Sequence, residues 1–69
     1  MKIQIFLGNK LRKFREMKNE TQEEFGKALG VDKSTISKQE RGRGIGIESL
    51  ILYSEKMGIE VKDWFKGWD

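Results

Sequence analysis

Apolar side chains recur along this 69-residue chain at helical intervals. Leu7, Leu11 and Phe14 fall at i, i+4 and i+7, which places them on one stripe and predicts a first helix over residues 9–18. Asn19 is suited to a left-handed stop. Thr21-Gln22-Glu23-Glu24 reads as a capping box: the Thr21 hydroxyl can accept from the N–H three residues on, and Glu24 can reach back to the N–H of Thr21. A second helix therefore starts near Gln22, with Phe25, Ala28 and Leu29 as its apolar face and Gly30 as its end. Asp32 caps a third helix that runs to about Arg41 and is closed by Gly42. "RGRGIG" reads as a flexible loop. A fourth helix covers Ile47 to Met57, with Ile47, Leu50, Ile51, Ser54 and Met57 on one side and Gly58 beyond it. A short fifth helix over Val61 to Lys66 carries Trp64 and Phe65. The pattern predicts an all-α domain of five short helices. Residues 1–7 do not join it cleanly. Ile3 and Ile5 alternate with Lys2 and Gln4 at a strand period, so an edge strand, an arm and an extension of the first helix all fit.

Only "GVD" separates the second and third helices. A joint this tight forces them together at a steep angle and describes a helix-turn-helix over residues 22–41. Gly30 can take positive φ at the turn. Val31 plugs the corner, and Phe25, Leu29 and Ile36 form the shared core. Gly26 lies where the helices come closest, so a side chain larger than Ala is expected to clash there. On the third helix Lys33, Ser34, Ser37 and Lys38 form one exposed stripe opposite Ile36.

Composition narrows the function. The length suits a single domain over residues 1–69 with a thin core. There is no Cys, hence no disulfide and no thiolate metal site, which fits a reducing cytoplasm. No apolar run is long enough to span a bilayer. With no His, no Cys and a single Tyr, nothing resembles an activated nucleophile beside a base, so an enzyme is disfavoured and no metal or cofactor is expected. Charge is uneven. Residues 1–46 hold eleven Lys and Arg against six Asp and Glu, a net of +5. Residues 47–69 hold three against five, a net of −2. A basic front and an acidic back suit a negatively charged partner met from one side.

The string "LRKFREMKNETQEEFGKALGVDKSTISKQERG" resembles the helix-turn-helix proteins of the Cro and phage-repressor type, the XRE family. Leu11, Arg12, Arg15, Thr21, Gln22, Gly30, Val31, Thr35, Ile36, Ser37, Glu40 and Gly42 match the family pattern, and "LILYSEKMGIEVKDWF" looks like its closing helices. The resemblance covers about residues 8–66. There are departures. Gly26 stands where Ala is usual, and Glu20 and Gln39 stand where apolar residues are usual. "GIGIES" replaces a Pro-Ser helix start, so this loop is expected to be more mobile. For Gln39, an inward stem with an outward amide is expected.

The resemblance implies a compact five-helix lambda-repressor-like domain and a transcriptional regulator that binds double-stranded DNA, with its third helix in the major groove. Carried over, Lys33, Ser34 and Lys38 read bases, with Ser37 and Thr35 second. Gln22, Arg41, Arg43 and, more weakly, Lys10 contact phosphates. Arg15 and Glu40 form a partly buried salt bridge that orients the third helix. Phe65 takes the core position of the last helix, and a homodimer forms through Val61, Trp64 and Trp68. The implied mode of action is repression, by a dimer on a two-fold operator. An antitoxin or other protein-interaction module of the same fold, with a protein partner, is the alternative, as is a restriction–modification controller.

Overall fold

The computed structural model describes residues 2–68. Among them there are four α-helices, α1 (Ile3–Met17), α2 (Gln22–Leu29), α3 (Lys33–Glu40) and α4 (Ile47–Met57), followed by a 3-10 helix (Val61–Phe65) and no strand. The all-α helix-turn-helix architecture is as expected, but the fifth helix is a single tight 3-10 turn.

The N-terminal segment resolves in favour of helix, so residues 3–7 form neither arm nor strand. Ile3, Leu7 and Leu11 lie at i, i+4 and i+8. That stripe packs on the core, while Ile5 faces outward. The period-two alternation of two isoleucines was too short a signal to compete with it. Gly8 reads as a break in the sequence but lies inside α1, buried against the end of α3. A Cβ there would stand 2.5 Å from the carbonyl oxygen of Gln39 and 2.8 Å from that of Glu40. The absence of a side chain lets two backbones meet.

The local signals act where they were read. The Thr21 hydroxyl accepts from the Glu24 N–H at 3.1 Å, and the Glu24 carboxylate accepts from the Thr21 N–H at 2.8 Å. Asp32 accepts from the Thr35 N–H at 2.8 Å. Asn19 is left-handed at φ 58, and Gly30 ends α2 at φ 82. At Gly26 the margin is tighter than expected. Even an Ala Cβ would stand 2.6 Å from the carbonyl oxygen of Val31, so Ala already clashes unless the turn moves.

Leu11, Phe25, Leu29, Ile36, Leu50, Tyr53 and Trp64 are the largest fully buried side chains. Trp64 stacks edge-on against Phe14, with centroids 5.0 Å apart, and its indole N–H donates to Ser54 Oγ at 2.8 Å. Trp64, rather than Phe65, is therefore the core residue of the last turn; Phe65 is exposed. Two further expectations change. Ala28 is exposed on α2. On α4 the buried face is Leu50, Tyr53 and Ser54, which leaves Ile47 (59% exposed) and Ile51 (51%) outside. A helical wheel admits both apolar stripes, and the size of Trp64 draws the Tyr53–Ser54 side inward.

Candidate nucleic-acid interface

α3 begins at the Asp32 cap and is held by Ile36, which is fully buried between α2 and the rest of the core. At roughly 100° per residue, this orientation directs Lys33, Ser37, Arg41, Ser34 and Lys38 outward as one band. Lys33, Ser34, Lys38 and Arg41 are exposed and Ser37 is half-buried. Ser34 donates its hydroxyl to Asp32 at 3.0 Å, so it helps to hold the cap while facing outward. Thr35 lies apart from the band, half-buried on the flank of α3, and its side chain and N–H both serve Asp32. Thr35 first, and then Ser34, hold the Asp32 carboxyl below the usual carboxylate range. Lys33, Ser34 and Ser37 line a groove between α3 and the start of α2, whose far wall is Gln22, Glu23 and Lys27.

Glu40 is the hub beneath this surface. Its side chain is completely buried, and Arg15 meets it twice: Nε donates to Oε2 at 2.6 Å and Nη2 to Oε1 at 3.2 Å. Arg12 Nε and Gln22 Nε2 donate to Oε1 at 3.4 and 3.1 Å. Arg15 also donates to the carbonyl oxygen of Glu20 at 2.9 Å. One carboxylate thus ties α1, the start of α2 and the end of α3. Burial pushes the Glu40 carboxyl up, but the hydrogen bonds from Arg15, Gln22 and Arg12 and the charge of Arg15 outweigh it and hold the group below its ordinary value. Arg15 is raised in turn, chiefly by its hydrogen bond to Glu40.

Two expected phosphate ligands are placed differently. The Gln22 carboxamide nitrogen is turned inward to Glu40, leaving the Gln22 and Glu23 N–H groups as the donors at the start of α2 without a cap partner. Lys10 is on the wrong side. Its ammonium donates to the carbonyl oxygen of Lys66 at 2.8 Å and stands 5.6 Å from the Phe6 ring centroid. Gly8 faces α3, and Lys10 lies roughly 200° around the helix from it. Arg41 and Arg43 are exposed immediately beyond α3, with the Arg43 N–H donating to the Lys38 carbonyl oxygen at 2.9 Å.

Gln39 corrects its expectation as well. Its amide points inward, not outward. Oε1 accepts from the Tyr53 hydroxyl at 2.6 Å, and Nε2 donates to the Gly44 carbonyl oxygen at 3.2 Å and to Ser49 Oγ at 3.3 Å. The loop expected to be mobile is tied to α3 by the Gln39 amide, which α4 holds in turn, and Ile45 within it is buried.

The proposed dimer residues diverge. Trp64 is fully buried in its own chain and cannot meet a partner without unfolding the core. Val61 packs half-buried on that core. Trp68 is partly exposed, its ring 5.2 Å from that of Phe6. Sequence reasoning assigned no site role to Arg12, Lys27, Gly8 or Tyr53. Arg12 had a usable signal, lying one turn before Arg15 on the same face. Gly8 and Tyr53 had none, because their partners are distant in sequence.

Among the described residues no group of His, Cys, Asp or Glu could hold a metal ion, and no helix is long and apolar enough to cross a membrane. A family model described as a helix-turn-helix matches residues 11–64, from the start of the Leu11 stripe to the buried Trp64. No curated protein matches the chain.

Proposed function

The chain belongs to the Cro/C1-type helix-turn-helix family of DNA-binding transcription regulators, and from that premise we propose that it represses transcription by occupying a two-fold operator as a homodimer. The observation that carries this reading is the outward band of α3, which joins three cations to two small hydroxyls with no acidic side chain among them. Lys33 and Lys38 can donate to guanine O6 and N7, and Ser34 and Ser37 can adapt to either partner of a base pair. We leave Thr35 out of the base-reading set because it is half-buried beside the Asp32 cap. Arg41 at the end of the band, Arg43 just beyond it and the Gln22 and Glu23 N–H groups at the start of α2 serve the phosphates. Glu40 fixes the angle of α3 against α1 and α2 without touching DNA. The dimer surface we propose is the exposed apolar face of α4, Ile47, Ile51 and Leu52, in place of Trp64.

Two measurements test the DNA contacts. Binding to random-sequence duplex across a salt series should be strongly salt-dependent, and Arg41→Ala should flatten the slope of log K against log salt by about one. A wild type with no salt-dependent binding ends the reading. Operator selection with wild type and with Lys33→Ala should recover different stringency at one base pair. Identical selected sequences would remove Lys33 from base reading.

A further inference from the structure

We propose that Gln39 is a positioning residue for phosphate contact by Arg43: its buried carboxamide holds the loop of residues 41–46 so that Arg43 stands beside the recognition band. The inference rests on the DNA-binding reading above. Gln39 is only 6% exposed, and a polar side chain with that burial must find partners inside the protein. It finds three, on two segments. The Tyr53 hydroxyl and Ser49 Oγ belong to α4, and the Gly44 carbonyl oxygen belongs to the loop. Arg43 lies between two left-handed glycines, Gly42 at φ 86 and Gly44 at φ 69, a backbone that few sequences would hold still unaided. On its N-terminal side Arg43 is tied by its own N–H to Lys38, a member of the band. On its C-terminal side the adjoining carbonyl is tied by Gln39. An apolar residue at position 39 could fill the same space, but it could not donate to Gly44.

The Gln39–Gly44 bond therefore has a role that core packing does not explain. A loop fixed before binding does not have to be ordered when the phosphate arrives, so more of the Arg43 contact survives as affinity. Tyr53→Phe separates the two roles. It weakens the same buried network but leaves the amide nitrogen on Gly44.

The test is a salt series on random-sequence duplex DNA with the full chain, comparing wild type, Gln39→Leu, Arg43→Ala, the double variant and Tyr53→Phe. Each variant is first shown to be folded by circular dichroism and a urea midpoint. Gln39→Leu should flatten the salt slope by about one, the value for a single lost phosphate. It should add nothing further in the Arg43→Ala background, and Tyr53→Phe should retain the wild-type slope. If Gln39→Leu does not fold, Gln39→Asn replaces it, because its shorter amide stays polar but falls short of Gly44. The proposal is overturned if the folded Gln39 variant keeps the wild-type slope, or if its effect adds in full to that of Arg43→Ala. Either result leaves the DNA-binding reading standing, whereas a wild type without salt-dependent binding removes both.

Discussion

At the scale of single residues, the tightest constraint falls on a position with no side chain. Gly8 brings the backbone of α1 against the backbone at the end of α3, with Gln39 and Glu40 carbonyl oxygens and the Gly42 N–H all within 2.8 Å of where a Cβ would stand. Replacing Gly by Ala within a helix normally stabilises by about 1 kcal/mol. Here the added carbon meets three main-chain atoms of residues 39–42, and main chain cannot turn away as a flexible side chain can. Overpacking of this kind costs about 1–3 kcal/mol, so Gly8→Ala should be destabilising on balance. A urea titration should show a lower midpoint with an unchanged slope. A midpoint at or above wild type would mean that α1 can lift from α3 at little cost. Trp64 carries the opposite constraint. It fills the core between Phe14, Tyr53 and Ser54, so Trp64→Ala should cost about 3–5 kcal/mol, visible as unfolding rather than as loss of a dimer.

At the scale of elements, α3 is held by an ionic hub. The Glu40 carboxyl titrates below its ordinary 4.5 in the folded protein, so the folded state holds on to the charged form more strongly than the unfolded chain does. The stability this contributes is complete above the unfolded value and disappears as pH falls through the folded one. Glu40→Gln should lower stability at neutral pH and make the remaining stability less sensitive to acid. Comparing urea midpoints at neutral pH and at about pH 3 checks both. Asp32, Glu24 and Asp63 are also lowered, so the acid dependence should shrink rather than vanish. If the wild type and Glu40→Gln lose stability in parallel, Glu40 is not the main acid-sensitive link. The elements around this hub were largely legible in the sequence, because their signals are local. A capping box, a left-handed glycine and an Asp cap each act within four residues. The Arg15–Glu40 pair was reached only through resemblance, since its partners lie 25 residues apart. The inward turn of Gln39 was out of reach altogether. Whether a carboxamide faces in or out depends on Tyr53 and Gly44, whose positions are set by packing that no local pattern encodes.

At the scale of the whole molecule, positive charge concentrates in the first 46 residues, and α4 beyond them carries a group of exposed apolar side chains. The cations of α3 and the following loop belong to the net-positive first 46 residues, while α4 lies in the net-negative remainder and exposes Ile47, Ile51 and Leu52. With α3 reading bases as proposed, its eight residues offer few base contacts, so a single copy should discriminate operators weakly. Two copies joined through a two-fold axis would roughly add their contact energies and read half-sites about 34–36 Å apart. Exposed Ile47 and Ile51 sit one turn apart on the same face of α4, so a second α4 could cover both at once, and water exclusion there would offset part of the entropy of association. Ile51→Lys tests this without touching the core, because the side chain already faces solvent. The variant should keep the wild-type urea midpoint and helical signal, sediment as a monomer, and lose affinity for a selected palindromic site more than for random duplex. The wild type should sediment as a dimer, at micromolar concentration alone or once bound to that site. Equal sedimentation and equal palindrome preference in the two proteins would place the two-fold contact elsewhere, and a wild type that stays monomeric on palindromic DNA would remove the dimer from the mechanism.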